Sequence, residues 1–442
     1  MPIHTYIFNL SEDVWPFIAA LPASAREAEI QENAWLSDRE FIGLRAEQAG
    51  QAVQMLTPHQ PPSEFSNFLD SLIPGSTESI VPEVHSGQIS LDALNNETVL
   101  NKLAESATIS AYCPSTAVYR LVSKLSDRGA APVLADLPSP SSWEQVSAFS
   151  SKDGFRKLIE SLNLPNLTLS PGEVFDDFET AVEAAAGRPA GRGVVLKTQK
   201  GHSGMGVAIF TPNQLNGDAS ARSQQIRQQL LKDNGFWAKF PIVVEDYIEP
   251  DTTVGGGVPN VEGYIDAQGK VKISYFCGMR VLPSGTFAGV EISTNIFSPE
   301  LTNRLIQIGE TVGQVYADHG YRGYFDVDMM AGKDGQLYLS ESNIRRTGGT
   351  YAYHVARHFY GTDFAEHHYV LTNMMTLQPG DYTWSSIMEQ NQDLFFKPGG
   401  EIGLIPTTPS LLNQGQFGYM VLAENREQAY QIETAFQRNL AK

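Results

Sequence analysis

Cysteine is almost absent. The chain holds two, Cys113 and Cys277, far apart and in no CxxC pair, which excludes a disulfide framework and a cysteine-based zinc site. Their expected role is that of small buried hydrophobes in a reducing compartment. Positive charge is scarce too: 31 Lys and Arg stand against 50 Asp and Glu, a formal net charge of -19. A field of that sign repels phosphate backbones and anionic lipid, so the expected partners include no nucleic acid and no membrane surface. No apolar run approaches the roughly 20 residues of a membrane span. The opening MPIHTYIFNLSEDVW has neither a basic n-region nor an apolar h-region, so the expected location is cytoplasmic. Common nucleotide and hydrolase signatures are missing as well. There is no GxxxxGK[ST], no GxGxxG after a strand, no HExxH, no GxSxG and no HRD with DFG.

What is present suffices for packed cores, because 42% of the 442 residues are hydrophobic and 10% aromatic. At roughly 100–200 residues per domain, the length predicts three domains or two large ones. The first third alternates strand and helix patterns: a strand at Thr5–Leu10, a helix over Ser24–Ala34 with Ser24 and Glu27 spaced as a capping box, a strand at Thr108–Tyr112, and a helix at Thr116–Leu125. That order favours an α/β sheet. The Pro- and Ser-rich stretch Pro132–Ser142 marks a loop, and the first boundary is placed near residue 150.

Beyond it, Ser151 is an expected N-cap for a helix to Leu162. A strand Gly193–Lys197, a glycine loop Gly201–Gly206 and a strand Val207–Phe210 have the character of a lid, followed by a strand at Pro241–Val244. Antiparallel strands follow at Val261–Asp266, Val271–Arg280 and Phe287–Ser293, then a helix Glu300–His319 and a hairpin over Gly323–Ser340. After Gly361 the pattern loosens, leaving an extended stretch at Glu401–Thr407, a strand near Tyr419–Ala423 and a helix near Arg426–Asn439.

The strongest chemical signal is Glu341-Ser-Asn343-Ile-Arg345-Arg346-Thr347-Gly348-Gly349. On a strand, residues two apart share a face, so a carboxylate, an amide and a guanidinium would be presented together. Asp328, with Asp326 two residues back, offers carboxylates from the partner strand of the hairpin. Hard oxygens suit Mg²⁺, with Mn²⁺ as an alternative ion, and a planar cation suits phosphate or carboxylate. Lys152 opens a helix, and Lys197 ends a strand where its aliphatic stem is buried and its ammonium is free for a phosphate. Gly204 and Gly206 allow backbone N–H groups to approach an anion. The hinge Glu245-Asp246-Tyr247-Ile248 is suited to reading an adenine edge, and Glu249 or Asp251 to holding ribose hydroxyls.

In this order and spacing these elements resemble the ATP-grasp superfamily over about residues 150–350. The first third is similar to a pre-ATP-grasp domain, through Tyr112-Cys-Pro-Ser-Thr116 and Ser151-Lys152. Arg345–Thr350 and Leu404–Leu412 resemble the peptide ligases of the pheganomycin type. The resemblance implies an α/β chain: a pre-ATP-grasp α/β domain at 1–150, an ATP-grasp fold of two α+β lobes at 151–376 with the lid at about 190–245, and a C-terminal segment, 377–442, packing on the catalytic lobe. It implies an ATP-dependent carboxylate–amine ligase that works through an acylphosphate on an amino acid or small peptide. Asp328, Glu341 and Asn343 would hold Mg²⁺; Lys152, Lys197, Gly204, Gly206, Glu245, Asp246, Ile248 and Asp251 would bind ATP. Arg345 and Arg280 would stabilise the transferred phosphoryl group, although the position of Arg280 at a strand end suits a surface charge equally well.

Lys152, Lys197, Arg345 and Arg346 are expected to form a positive island within the acidic chain. His354 and His358 stand i, i+4 on a helix but lack a third ligand, so helix packing or substrate contact is their expected role. The tyrosines around Tyr351–Tyr360 are expected to be structural, although Tyr351 and Tyr353 lie close enough to Gly349 to line an acceptor pocket. An ATP-binding regulator and an ATP-dependent phosphotransferase are the alternative functions, and a homodimer is left open as the assembly.

Overall fold

The strand Ile3–Ile7 lies at the centre of a five-stranded parallel sheet, in the order Thr77–Ile80, Ala52–Leu56, Ile3–Ile7, Ser106–Ala111, Val133–Leu134. The computed structural model describes residues 2–75, 77–189, 191–201, 206–232, 236–282 and 285–440. Parallel sheets are covered on both faces, so neighbouring residues that point opposite ways are both buried. Tyr6 joins the core that reaches helix Thr350–Tyr360, and Ile7 joins the core under helix Thr116–Asp127. Ser151 caps its helix as the sequence predicts, accepting from Gly154 N–H, and Ser115 caps helix Thr116–Asp127, accepting from Val118 N–H. The capping box at Ser24 does not form. Helix Ala23–Trp35 starts from Pro22, whose fixed φ places Ser24 inside the first turn, and no side chain caps it.

A four-stranded antiparallel sheet follows, in the order Gly172–Phe175, Ile242–Asp246, Val194–Thr198, Val207–Phe210. Helices Phe178–Ala186 and Ala219–Leu231 bury Ala181, Val182, Ala185, Ile226 and Leu230 against it.

The largest sheet has eight strands, in the order Leu337–Glu341, Gly323–Ala331, Pro259–Ile265, Val271–Val281, Phe287–Ile292, Tyr369–Thr376, Gln416–Ala423, Gly403–Pro406. Residues after 377 thus supply its last two strands, and they reach it through Tyr369–Thr376, a strand that the loosened pattern does not announce. Alternation along Gly323–Ala331 positions the site. Phe325, Val327 and Met329 face helix Pro299–Asp318, in one core with Leu305, Ile308 and Val312. Asp326 and Asp328 face the other way, opposite Glu262 and Asn260 of the neighbouring strand.

The N-terminal unit is locked to this sheet. Helix Asp38–Glu47 crosses helix Thr350–Tyr360 at Gly43, where an added Cβ would lie 2.7 Å from that of Tyr351. Phe41 and Ile42 share a core with Ala352, Val355 and Val370.

Candidate active site

The polar patch on the large sheet is a carboxylate cluster. The Asn260 amide donates to Asp328 Oδ1 at 2.6 Å and to Asp326 Oδ2 at 3.1 Å. A bulge between Asp328 and Met329 sets Glu341 opposite Asp328. The strand ends at Glu341, so Asn343 and Arg345 are not carried on it as the spacing suggests. The loop is instead folded onto Asp326: its N–H donates to the Asn343 carbonyl at 2.9 Å, and its Oδ1 accepts from Asn343 N–H at 2.7 Å. The Asn343 side chain presents Nδ2 to Asp326 and Asp328, and Oδ1 to Arg345 at 2.8 Å. A half-turn of that amide is needed before its oxygen can be a ligand.

Burial pushes Asp328 well above the ordinary carboxylate range, and Asp326 and Glu341 push it further. Burial likewise pushes Asp326 up to about 7. Partial desolvation raises Glu341 too, but Lys152, Lys197 and Arg345 outweigh that and hold it below its usual value. Lys152 Nζ lies 2.6 Å from Glu341 Oε2. Lys197 Nζ lies 2.7 Å from Glu245 and 3.0 Å from Ser340 Oγ. Arg345 Nε pairs with Asp13 Oδ2 at 2.7 Å, and Lys200 reaches the other oxygen of Asp13 at 3.3 Å.

All of these groups except Asp13 and Lys200, which stand behind Arg345, border one cavity of about 800 Å³, lined from the N-terminal unit and from both antiparallel sheets. Small-molecule pockets span roughly 300–1,000 Å³, so a nucleoside triphosphate and a small second substrate fit together. At its edge the hinge N–H groups of Asp246 and Tyr247 are used, by the Pro171 and Gly193 carbonyls. The Ile248 N–H, also at the cavity, meets no acceptor among the described residues. Val195, Val207, Ile209 and Leu339 give apolar walls beside it, as an adenine ring requires.

Several expected site residues are placed elsewhere. Arg280 lies on the opposite face of its strand from Met279, which lines the cavity; it forms a two-pronged pair with Glu433, at 2.7 and 3.0 Å, and stacks on Tyr430. Strand parity is the reason. Arg280→Met is therefore expected to keep kcat within about twofold while lowering the melting temperature, since it leaves the buried Glu433 without its cation; a tenfold fall in kcat with unchanged melting would restore the catalytic role. The Glu245 carboxylate points at Arg156 and Lys197, so it positions a lysine and does not read the base. Asp246 is at the cavity but paired with Arg188 at 2.9 Å. Asp251 caps its own turn through Thr253, and the cavity is lined by Pro250 and Thr252 on either side of it. Glu249 pairs with Lys333 at the surface. Gly206 has φ +78 and closes the loop by accepting from Thr198 N–H, whereas Gly201 borders the cavity; Gly204 lies outside the described residues. Arg346 is buried between Glu47 and Asp136 and does not join the positive island.

Asn260, Glu262, Asp13 and Lys200 are site-shaping residues that the sequence reading did not single out. Asn260 and Glu262 carried a signal, polar residues two apart in an apolar strand. Asp13 carried none, because Arg345 lies at the far end of the chain. Glu262 accepts from Thr347 and Thr350 and from the Tyr275 hydroxyl, and burial pushes it up to about 7, so it ties down the loop after Arg346. Tyr351 borders the cavity, and His354 is packed against Tyr324 and Glu47.

Among the described residues no group of three or more His, Cys, Asp or Glu could hold a metal ion unaided. Mg²⁺ typically takes one or two carboxylates and completes its shell with water and substrate phosphates. Buried Asp328 and half-buried Glu341, side by side with Asp326 adding charge, fit that role: the local excess of negative charge is what a divalent ion would offset.

The fold is shared with solved enzymes. The N5-carboxyaminoimidazole ribonucleotide synthetase purK, in its ADP complex, aligns over 100% of this chain and 98% of its own, at TM-score 0.59 and 14% identity. An L-amino acid ligase from Bacillus licheniformis aligns over 99% and 98%, at TM-score 0.56 and 14% identity. The biotin carboxylase domain of Hydrogenobacter thermophilus 2-oxoglutarate carboxylase, solved with MgADP, ADP and bicarbonate, aligns over 95% and 86%, at TM-score 0.58 and 11% identity. No family model and no curated protein matches the sequence. At these identities the likeness establishes the fold alone, a parallel α/β unit followed by two antiparallel sheets. Among the described residues no helix is long and apolar enough to cross a membrane.

Proposed function

We propose that the protein is an ATP-dependent carboxylate–amine ligase acting on an amino acid or small peptide and releasing ADP and phosphate. The observation that carries this reading is the convergence, on one cavity, of a free hinge N–H at Ile248, two lysines, paired carboxylates and the Arg345 guanidinium. It agrees with the activities of enzymes that share the fold, an L-amino acid ligase among them. Ile248 and the apolar walls hold the adenine. Lys152 and Lys197 neutralise phosphate oxygens, and Glu245 keeps Lys197 aimed. Asp328 and Glu341, with Asn343 after its amide turns, would hold Mg²⁺, which supplies Lewis-acid charge stabilisation at the phosphates.

A carboxylate oxygen of the donor attacks the γ-phosphorus and ADP departs. The amine nitrogen then attacks the acyl carbon, losing a proton as phosphate leaves. Charge develops on phosphoryl oxygens throughout, so fixed cations and not a covalent nucleophile are what the site must provide. Arg345, held by Asp13 and Asn343, is such a fixed cation. The test is incubation with MgATP and a matrix of amino acids and dipeptides under mass detection. The expected result is ADP, phosphate and a product whose mass is the two substrates less one water. A phosphorylated product would make the protein a phosphotransferase, and no ADP with any pair would make it a binder.

A further inference from the structure

A second guanidinium borders the same cavity without belonging to the network around Arg345. Arg39 sits in the first turn of helix Asp38–Glu47, with its side chain 11% exposed. Among the described residues its only ion pair is with Glu40, 3.5 Å from Nε, and Nε makes no hydrogen bond. Glu40 is shared, since it also accepts from the Tyr6 hydroxyl. Arg39 Cζ lies 5.8 Å from the Tyr351 ring centroid.

Other buried guanidinium groups here are better satisfied. Arg346 donates three times to Glu47 and Asp136, and Arg156 donates to Glu245 and to two carbonyls. A guanidinium has five donors, and its desolvation is offset only when partners with good geometry meet them. Arg39 has donors to spare at a cavity wall.

Its position relates it to the chemistry. Arg345 Cζ lies 5.7 Å from the Tyr112 ring, and Arg39, Tyr112, Tyr351 and Arg345 line one cavity. A substrate group at Arg345 reacts; a group at Arg39, elsewhere on the same wall, does not. Met279, Phe287 and Val290 give the cavity an apolar wall. Resting on the ligase reading above, we propose that Arg39, seated over Tyr351, binds the free α-carboxylate of the amine substrate. The acceptor is then an amino acid with its own carboxylate unblocked, and the apolar wall favours apolar side chains. Two parallel N–H···O bonds are the usual form of such recognition, and lysine does not reproduce them.

The test compares wild type, Arg39→Lys and Arg39→Met with leucine, methionine and phenylalanine, each against its amide. Two readouts are taken: ligation kinetics with MgATP, and calorimetric binding in the presence of magnesium and a non-hydrolysable ATP analogue. Wild type is expected to prefer amino acid over amide. Arg39→Met should raise the acceptor KM about 10–100-fold, the size of a lost charge-assisted hydrogen bond, and abolish the preference while KM for ATP stays unchanged. Arg39→Lys should fall between. A wild type that takes the amides equally well, an Arg39→Met enzyme that keeps the preference, or an equal loss of ATP affinity would each overturn the assignment. Should wild type form no condensed product, the ligase reading fails, and calorimetry still decides whether Arg39 selects a carboxylate.

Discussion

Glu341→Gln is expected to reduce ADP formation by at least about 100-fold, the scale at which loss of one preorganised electrostatic group is felt in such sites. Two effects act together. The amide removes one of the two carboxylates opposed across the strand pair, which leaves Asp328 as the single charged anchor for a divalent ion. It also frees Lys152, whose ammonium lies 2.6 Å from Glu341. Folding should survive, because the Glu341 side chain is 32% exposed and such a partly hydrated pair contributes about 1 kcal/mol or less. The measurement is coupled ADP release across a magnesium titration, with a melting curve as control. An upward shift of the magnesium concentration needed, with melting unchanged, is the expected signature. Activity within about threefold of wild type at all magnesium concentrations would remove Glu341 from the metal site.

Local pattern made part of this site readable. The two-residue period of Gly323–Ala331 separates Phe325, Val327 and Met329 from Asp326 and Asp328, and that alternation is visible in the sequence without any partner strand. Lys197 at the end of an apolar strand is equally visible. Parity was not: whether Met279 or Arg280 faces the cavity depends on register with Phe287–Ile292 and on which face the C-terminal helix Arg426–Leu440 covers, and both are tertiary facts. The strand predicted through Arg345 stops at Glu341 because Asp326 captures the backbone of Asn343, a competition that spacing cannot express. Tyr369–Thr376 escaped because both of its faces are covered where it begins, with Val370 in one core and Tyr369 and Leu371 in another, and Thr372 and Asn373 then break the apolar run.

Arg346→Leu should be the most destabilising single change on the N-terminal side of the site. The guanidinium is 4% exposed, donates to both oxygens of Glu47 at 2.8 and 2.9 Å and to Asp136 at 2.7 Å, and lies 4.6 Å from the Tyr324 ring centroid. Removing it leaves two carboxylates with little water and no cation, a loss of about 3–5 kcal/mol. The pH dependence follows from Glu47. Burial raises its pKa, but Arg346 and then His354 overcome that and hold it at about 2, so in wild type its contribution is fully present above the unfolded value near 4.5 and is lost only as pH falls through 2. Without Arg346, burial dominates and the folded pKa rises above the unfolded one. The variant then loses stability as pH rises past 4.5 and recovers part of it on acidification, because a protonated Glu47 tolerates burial. Urea denaturation of wild type and variant at pH 7 and pH 5 should show a deficit that is larger at pH 7. An equal deficit at both would mean that lost packing on Tyr6 and Tyr324, and not the stranded charge, sets the cost. Because the Arg345 guanidinium donates to the Arg346 carbonyl, a shift of this segment in the variant should also displace the guanidinium proposed to face the phosphoryl group, seen as a fall in kcat at temperatures where the chain is still folded.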